Sequence, residues 1–215
     1  MVQLLSLEMS GAGHGRRHAL KMQTTSTTLL NAIGADTDSP RWTEFVARYK
    51  PVMESFLKGK FPTVDADDVM QETLMVLVRK LPEYHYAPDT KGHFRNYLLG
   101  ILKNKAREEL KRQARTGRAA DAAKDSAALA SPVAVHGDES GDEWRVAAYE
   151  VALQQILANP KRSERTRQIF IRTALKGEDP ASVAALFGTT RNNVDQIKNR
   201  MTGELRELAR GLADE

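Results

Sequence analysis

The chain contains no cysteine. Disulfides, thiolate-held metals and cysteine nucleophiles are excluded at once. It also lacks any apolar run near the about 20 residues that span a bilayer, so a cytoplasmic protein is expected. A secretory leader is not expected either, because Leu4, Leu5 and Leu7 have no basic flank ahead of them and no small-residue cleavage site behind. No stretch alternates apolar and polar residues as a half-buried strand would, and no segment repeats. The sequence offers no nucleophile with a paired base, no phosphate-cradling glycine loop and no metal-ligand set. The expectation is therefore a protein that is not an enzyme and holds neither cofactor nor metal. His14 and His18 have the four-residue spacing of helical metal ligands, but Gly11, Gly13 and Gly15 oppose a helix there. Even the charge excess is small, 32 Lys and Arg against 28 acids, so its distribution must carry any argument about partners.

What is present is helical periodicity, in two blocks. The 215 residues suffice for one large domain or two small ones, and two fit better. Residues 1–38 hold glycines and a threonine cluster without lasting period, and are expected to form a disordered extension with one short helix near Leu29–Ile33. Met22 is an alternative start. From Ser39, a capping residue followed by Pro40 at the first helical position, Trp42, Phe45, Val46, Tyr49, Met53, Phe56 and Leu57 recur at three-and-four spacing, with Pro51 expected to kink the helix. A second helix is expected from Val64 to Lys80, its start marked by Asp65, Asp67 and Asp68, which suit the positive end of a helix dipole. Pro82–Gly92 reads as a loop, and a third helix is expected over about His93–Arg115.

That third helix is two-sided. Leu98, Leu102, Ala106 and Leu110 follow one row, whereas Asn96, Lys103, Arg107 and Lys111 occupy another. Lys91 to Arg118 carries nine basic residues against Glu108 and Glu109, a net of +7; Phe61 to Thr90 carries six acids against Arg79 and Lys80, a net of −4. Charge is polarised within one domain.

Residues 116–141, with eight alanines, three glycines and Pro132, read as a flexible linker. Helical pattern resumes near Glu143, stops at Asn159-Pro160 and restarts near Ser163. Two short helices follow, one capped by Asp179 with Pro180 behind it and ending at Gly188, the next capped by Thr189 or Thr190 and apolar at Val194, Ile197, Met201, Leu205 and Leu208. The spacing of Val183, Ala184, Gly188, Val194 and Ile197 is that of a helix-turn-helix. Its free face would present Arg191, Asn192, Asn193, Gln196, Asn199 and Arg200, with Lys198 adding charge; such side chains read base edges or grip phosphate. Asp195 fits a solvated helical hairpin better, since it repels phosphate.

The run Asp65-Ala66-Asp67-Asp68-Val69-Met70-Gln71-Glu72-Thr73, then a proline-containing loop and Gly92-His93-Phe94-Arg95-Asn96-Tyr97-Leu98-Leu99-Gly100-Ile101-Leu102-Lys103-Asn104-Lys105-Ala106, resembles conserved region 2 of bacterial RNA polymerase sigma factors, and the order of parts resembles the extracytoplasmic-function class. The resemblance spans about Trp42–Arg115 and Ser163–Arg210. It implies an all-α protein of two small helical domains joined by a flexible linker: a region 2 domain over 39–115, a linker over 116–141, and a region 4 helix-turn-helix domain over 142–215.

The resemblance also implies roles. Asp67, Asp68, Gln71 and Glu72 would dock on the beta-prime clamp helices of core RNA polymerase, and the C-terminal domain on the beta flap. Lys91, His93, Arg95, Asn96, Lys103, Asn104, Arg107 and Lys111 would capture a flipped base of the −10 element and hold the opened strand, a base pocket and basic groove offsetting the cost of unstacking. Phe94 and Tyr97 are expected in the core. Arg191, Asn192, Asn193, Gln196, Lys198 and Arg200 would read the −35 element. Promoter DNA and core polymerase are the implied partners, an anti-sigma factor a further candidate, and no membrane is involved. The rival reading is a stand-alone helix-turn-helix repressor or activator with a dimerising or sensing N-terminal domain. A helical enzyme would need Asp65, Asp67 and Asp68 as a carboxylate cluster, and a helix start places them poorly to share a metal.

Overall fold

The computed structural model describes residues 27–36, 38–84, 94–119 and 139–213, and every described regular element is helical. We label the α-helices α1 (Thr27–Ala35), α2 (Arg41–Lys60), α3 (Ala66–Lys80), α4 (Phe94–Ala119), α5 (Glu139–Ala158), α6 (Glu164–Phe170), α7 (Pro180–Leu186) and α8 (Arg191–Ala213). A single 3-10 turn, Leu81–Glu83, follows α3, and α6 runs on into a wider turn over Ile171–Leu175. The all-α class is as expected. Two compact units divide the chain, one drawn from Gln23–Leu153 with Leu208–Glu215, the other holding Gln154–Glu207.

In the first unit α2, α3 and α4 bury one face each around Phe45, Val52, Leu57, Leu77, Leu98 and Leu102. Pro51 lies inside α2, which continues through it. Asp65 caps α3, its side chain accepting from the backbone N–H groups of Asp67 at 2.9 Å and Asp68 at 3.1 Å. These bonds satisfy donors that a helix start would otherwise leave orphaned. Phe94 is fully buried between Phe45 and Tyr49 (ring centroids 5.9 and 5.8 Å), a core residue as expected, and Tyr97, half-buried, packs against that core and stacks on Tyr84 at 4.6 Å.

Two segments join this core that the sequence places elsewhere. Helix α1 falls within the expected N-terminal extension, yet Leu29, Leu30 and Ile33 are buried, and Gly34 lets α1 approach so closely that an added Cβ would stand 3.0 Å from the Leu81 carbonyl oxygen. Trp144, Ala147, Ala148 and Val151, expected in the C-terminal domain, are buried in the same core, so the first unit reaches to Leu153 rather than ending near 115. The reason is physical: Trp144 finds an aromatic neighbour in Tyr49 at 5.9 Å and a backbone acceptor for its indole N–H in Leu212, 3.2 Å away. Helix α4 also runs to Ala119 and α5 begins at Glu139, which shortens the stretch between them relative to the expected linker.

In the second unit Ile156, Ile169, Phe170, Val183, Ala184, Val194, Ile197, Met201 and Leu205 are buried. Ser163 caps α6 and Asp179 caps α7, its carboxylate accepting from the Ser182 N–H at 2.9 Å. Of the two threonines offered as caps for α8, Thr190 does it, accepting from Asn193 N–H at 3.2 Å. Helix α7 ends with the Gly188 N–H bonded to the Ala185 carbonyl and the Thr189 N–H to the Ala184 carbonyl. That pairing needs a left-handed residue, and Gly188 supplies it with φ of +56°.

Candidate polymerase and nucleic-acid interfaces

Three of the four residues expected to face a polymerase are exposed on the first turns of α3: Asp67, Asp68 and Gln71. Asp67 stands 3.5 Å from Lys50 of α2. Glu72, half-buried, turns instead toward α4, where its carboxylate is 3.6 Å from Lys105. The Glu108 hydrogen bond above all, then the Glu108 and Glu72 charges, hold the Lys105 ammonium above its ordinary pKa against some desolvation. Between α2 and α3 runs an open groove of about 280 Å³, floored by Met53, Met70 and Leu74 and edged by Lys50, Asp67 and Gln71. The floor is apolar and the edge polar, with the Asp67 carboxylate beside the Lys50 ammonium.

The residues expected to hold an opened DNA strand are placed less uniformly. Lys91 and His93 lie outside the described residues. Arg107 and Lys111 are exposed on α4, and Asn104 is half-buried. Arg95 and Asn96, expected to hold the opened strand, are only 6% and 8% exposed. The Arg95 guanidinium donates to the Ala213 carbonyl, and Gly141 of α5 lies close enough that a Cβ there would sit 3.9 Å from Asn96 Oδ1. Lys103 is 18% exposed, ion-paired to Glu143 of α5 with its ammonium 6.0 Å from the Phe56 ring centre. The correction is one of exposure. Glu143 and Gly141 of α5 and the Ala213 carbonyl lie against Lys103, Asn96 and Arg95, whereas Arg107 and Lys111 further along α4 are exposed.

In the second unit α8 presents Arg191, Asn192, Asn193, Gln196 and Arg200 to solvent and keeps Lys198 half-buried. Arg191 is 3.8 Å from Asp195, one turn on, and Asn193 donates to the Thr189 hydroxyl at 2.9 Å. A polar groove of about 240 Å³ runs beside this face, lined by Asn193, Gln196 and Arg200 and by Arg165 and Thr166 of α6. The last two were not foreseen. Arg165 ties α6 to the α7–α8 turn by donating to the carbonyls of Phe187 at 2.5 Å and Gly188 at 3.4 Å. A side chain bonding to a backbone 22 residues away leaves no periodic mark in a sequence.

Among the described residues no group of three or more His, Cys, Asp or Glu is placed to hold a metal ion, and no helix is long and apolar enough to cross a membrane. Asp65 spends its carboxylate on the cap, which separates it in role from Asp67 and Asp68.

The first unit thus sets a helix with an acidic start against a helix rich in cations. Residues 45–116 match the Sigma-70 region 2 family, which covers α2 from Phe45, all of α3 and most of α4. This match supports a sigma factor. Among solved structures, the chain is similar at 17% identity to a chain of the co-crystal structure of the sigma factor RpoE in complex with the anti-sigma factor NepR from Bartonella quintana, over 79% of this chain and 97% of that one, with a TM-score of 0.31. No curated protein matches it.

Proposed function

We propose that this chain is a sigma factor of the extracytoplasmic-function class, which binds core RNA polymerase and directs promoter-specific initiation of transcription in the cytoplasm. The observation that carries the reading is the coincidence of the family match over 45–116 with a solvent-facing acidic turn at Asp67, Asp68 and Gln71. In this reading the acidic turn and its groove dock on the beta-prime clamp helices. Helix α4 and the loop before it hold the opened −10 strand, and α7 with α8 form the helix-turn-helix that reads the −35 element, its domain meeting the beta flap. Catalysis belongs to the polymerase, and the chain itself is not an enzyme. An anti-sigma factor, of the kind named with the RpoE structure, is a candidate regulator.

The exposed polar face of α8 is equally what a stand-alone duplex-binding repressor or activator would carry. The two readings part on dependence. The purified chain is mixed with core polymerase and a promoter library, and run-off transcripts are measured. Transcripts that require the chain support the sigma reading; a duplex footprint by the chain alone, with no polymerase complex, overturns it.

A further inference from the structure

The face of the first unit that carries Arg95, Asn96 and Lys103 is already occupied. Residues 139–153 of α5 and 208–213 of α8 lie on it, and the contacts are of several kinds. Trp144 is 1% exposed and anchors the segment among the core aromatics. Glu143 reaches both Lys103 and Lys60, the second at 3.6 Å, and Glu150 accepts from the Ser55 hydroxyl at 2.9 Å. The Ala213 carbonyl takes the Arg95 guanidinium. Trp144 apart, the covering groups are acceptors set against donors: a carboxylate on two ammoniums, another on a hydroxyl, a carbonyl on a guanidinium. A phosphate backbone offers acceptors of the same kind to the same donors.

We infer that residues 139–153 with 208–213 form a built-in stopper on the strand-holding face, Glu143 occupying Lys103 in place of a nucleic-acid phosphate. The inference rests on the reading that this face holds single-stranded DNA. The Glu143 pairs to Lys103 and Lys60 and the Trp144 anchor together set how often the face is open. Apparent strand affinity then falls by the fraction of time the face is closed: a stopper shut about nine-tenths of the time weakens binding about tenfold.

The test uses the full chain and a labelled single-stranded thymidine oligonucleotide of about 15 nucleotides, long enough to cover one strand-binding groove. Glu143→Lys breaks the pairs to Lys103 and Lys60. Asp142→Lys makes the same change of charge one residue away, on an exposed side chain that pairs with its helix neighbour Arg145 at 3.2 Å. The stopper predicts that Glu143→Lys binds the oligonucleotide about tenfold more tightly than Asp142→Lys, with Glu143→Gln between them and the native chain. It further predicts that saturating oligonucleotide speeds amide exchange over residues 144–152 of the native chain. Equal affinities for the two lysine variants overturn it, as does oligonucleotide binding that leaves that exchange unchanged. If no form binds the oligonucleotide yet the chain supports run-off transcription, the stopper alone is wrong; if transcription is also absent, the sigma reading fails with it.

Discussion

Glu72 of α3 and Lys105 of α4 stand 3.6 Å apart, so one of the four acid-face residues leans toward α4, half-exposed, while its neighbours Asp67 and Asp68 face solvent. The two groups should therefore separate in a binding assay. Asp68→Arg sets a positive charge on the turn proposed to dock, where a basic partner would be repelled, and should weaken core-polymerase binding at least about tenfold with little loss of fold stability. Glu72→Gln should cost under about 0.5 kcal/mol of stability, as for other part-exposed pairs, and change polymerase binding less. Titration of labelled chain with core enzyme, beside thermal melts, reads both. Equal losses of binding would remove the distinction.

Gly188 makes a second, purely conformational prediction. At φ of +56° any side chain with a Cβ is strained, but nothing lies within 4 Å of where that Cβ would stand, so the cost is backbone strain alone. Gly188→Val should destabilise by about 1–2 kcal/mol, and Gly188→Asn by less, because asparagine tolerates the left-handed region. If the two variants melt together, left-handed strain at this residue does not govern the stability of the turn.

These residues also mark how much was legible beforehand. The caps Asp65, Ser163 and Asp179, the break at Asn159-Pro160 and the glycine turn at Gly188 are local chemistry, and local chemistry is written in neighbouring residues. The burial of Asn96 and Arg95 is not legible locally, because polar side chains at a helix start are usually solvated. What buries them is the Ala213 carbonyl, 118 residues on, and α5, whose apolar face carries no label saying which unit it will join. Helix α1 shows the same limit: its existence near Leu29–Ile33 was readable, but its seat against Leu81 was not, since close approach depends on Gly34 meeting a backbone far along the chain. Arg165 had no signal at all.

Acid should loosen the second unit at its caps. Asp179 is held below the ordinary carboxylate pKa, chiefly by the Ser182 backbone N–H, then by the Ser182 hydroxyl and the nearby Arg191 charge. Glu164 is lowered too, by Gln168 first and then Arg167. A lowered folded-state pKa means the unfolded chain binds more protons, so this stability is present above the unfolded value near 4 and is lost as pH falls through the folded value. Amide exchange at Ser182 followed from pH 6 downward should accelerate beyond its intrinsic pH trend below about pH 4. Asp179→Asn should flatten that excess; a native profile without it would mean the cap bond does not survive in solution.

Arg191 and Asp195 give the last prediction, and its sign is unusual for a loss of charge. The pair is 3.8 Å apart and well exposed, so it contributes little to folding. On duplex DNA the two side chains oppose each other, because Arg191 attracts the backbone while Asp195 repels it and competes for the guanidinium. Asp195→Asn should therefore tighten binding of a −35 duplex several-fold, in polymerase complex, at low salt, and less as salt rises. Arg191→Ala should weaken duplex binding and promoter use, leave core-polymerase affinity unchanged, and reduce the salt slope by about 1 if the contact is to phosphate. Binding isotherms at several salt concentrations distinguish the cases. A base-edge contact would lower affinity for one sequence only, and a slope unmoved in Arg191→Ala together with no gain in Asp195→Asn would take this end of α8 out of the interface.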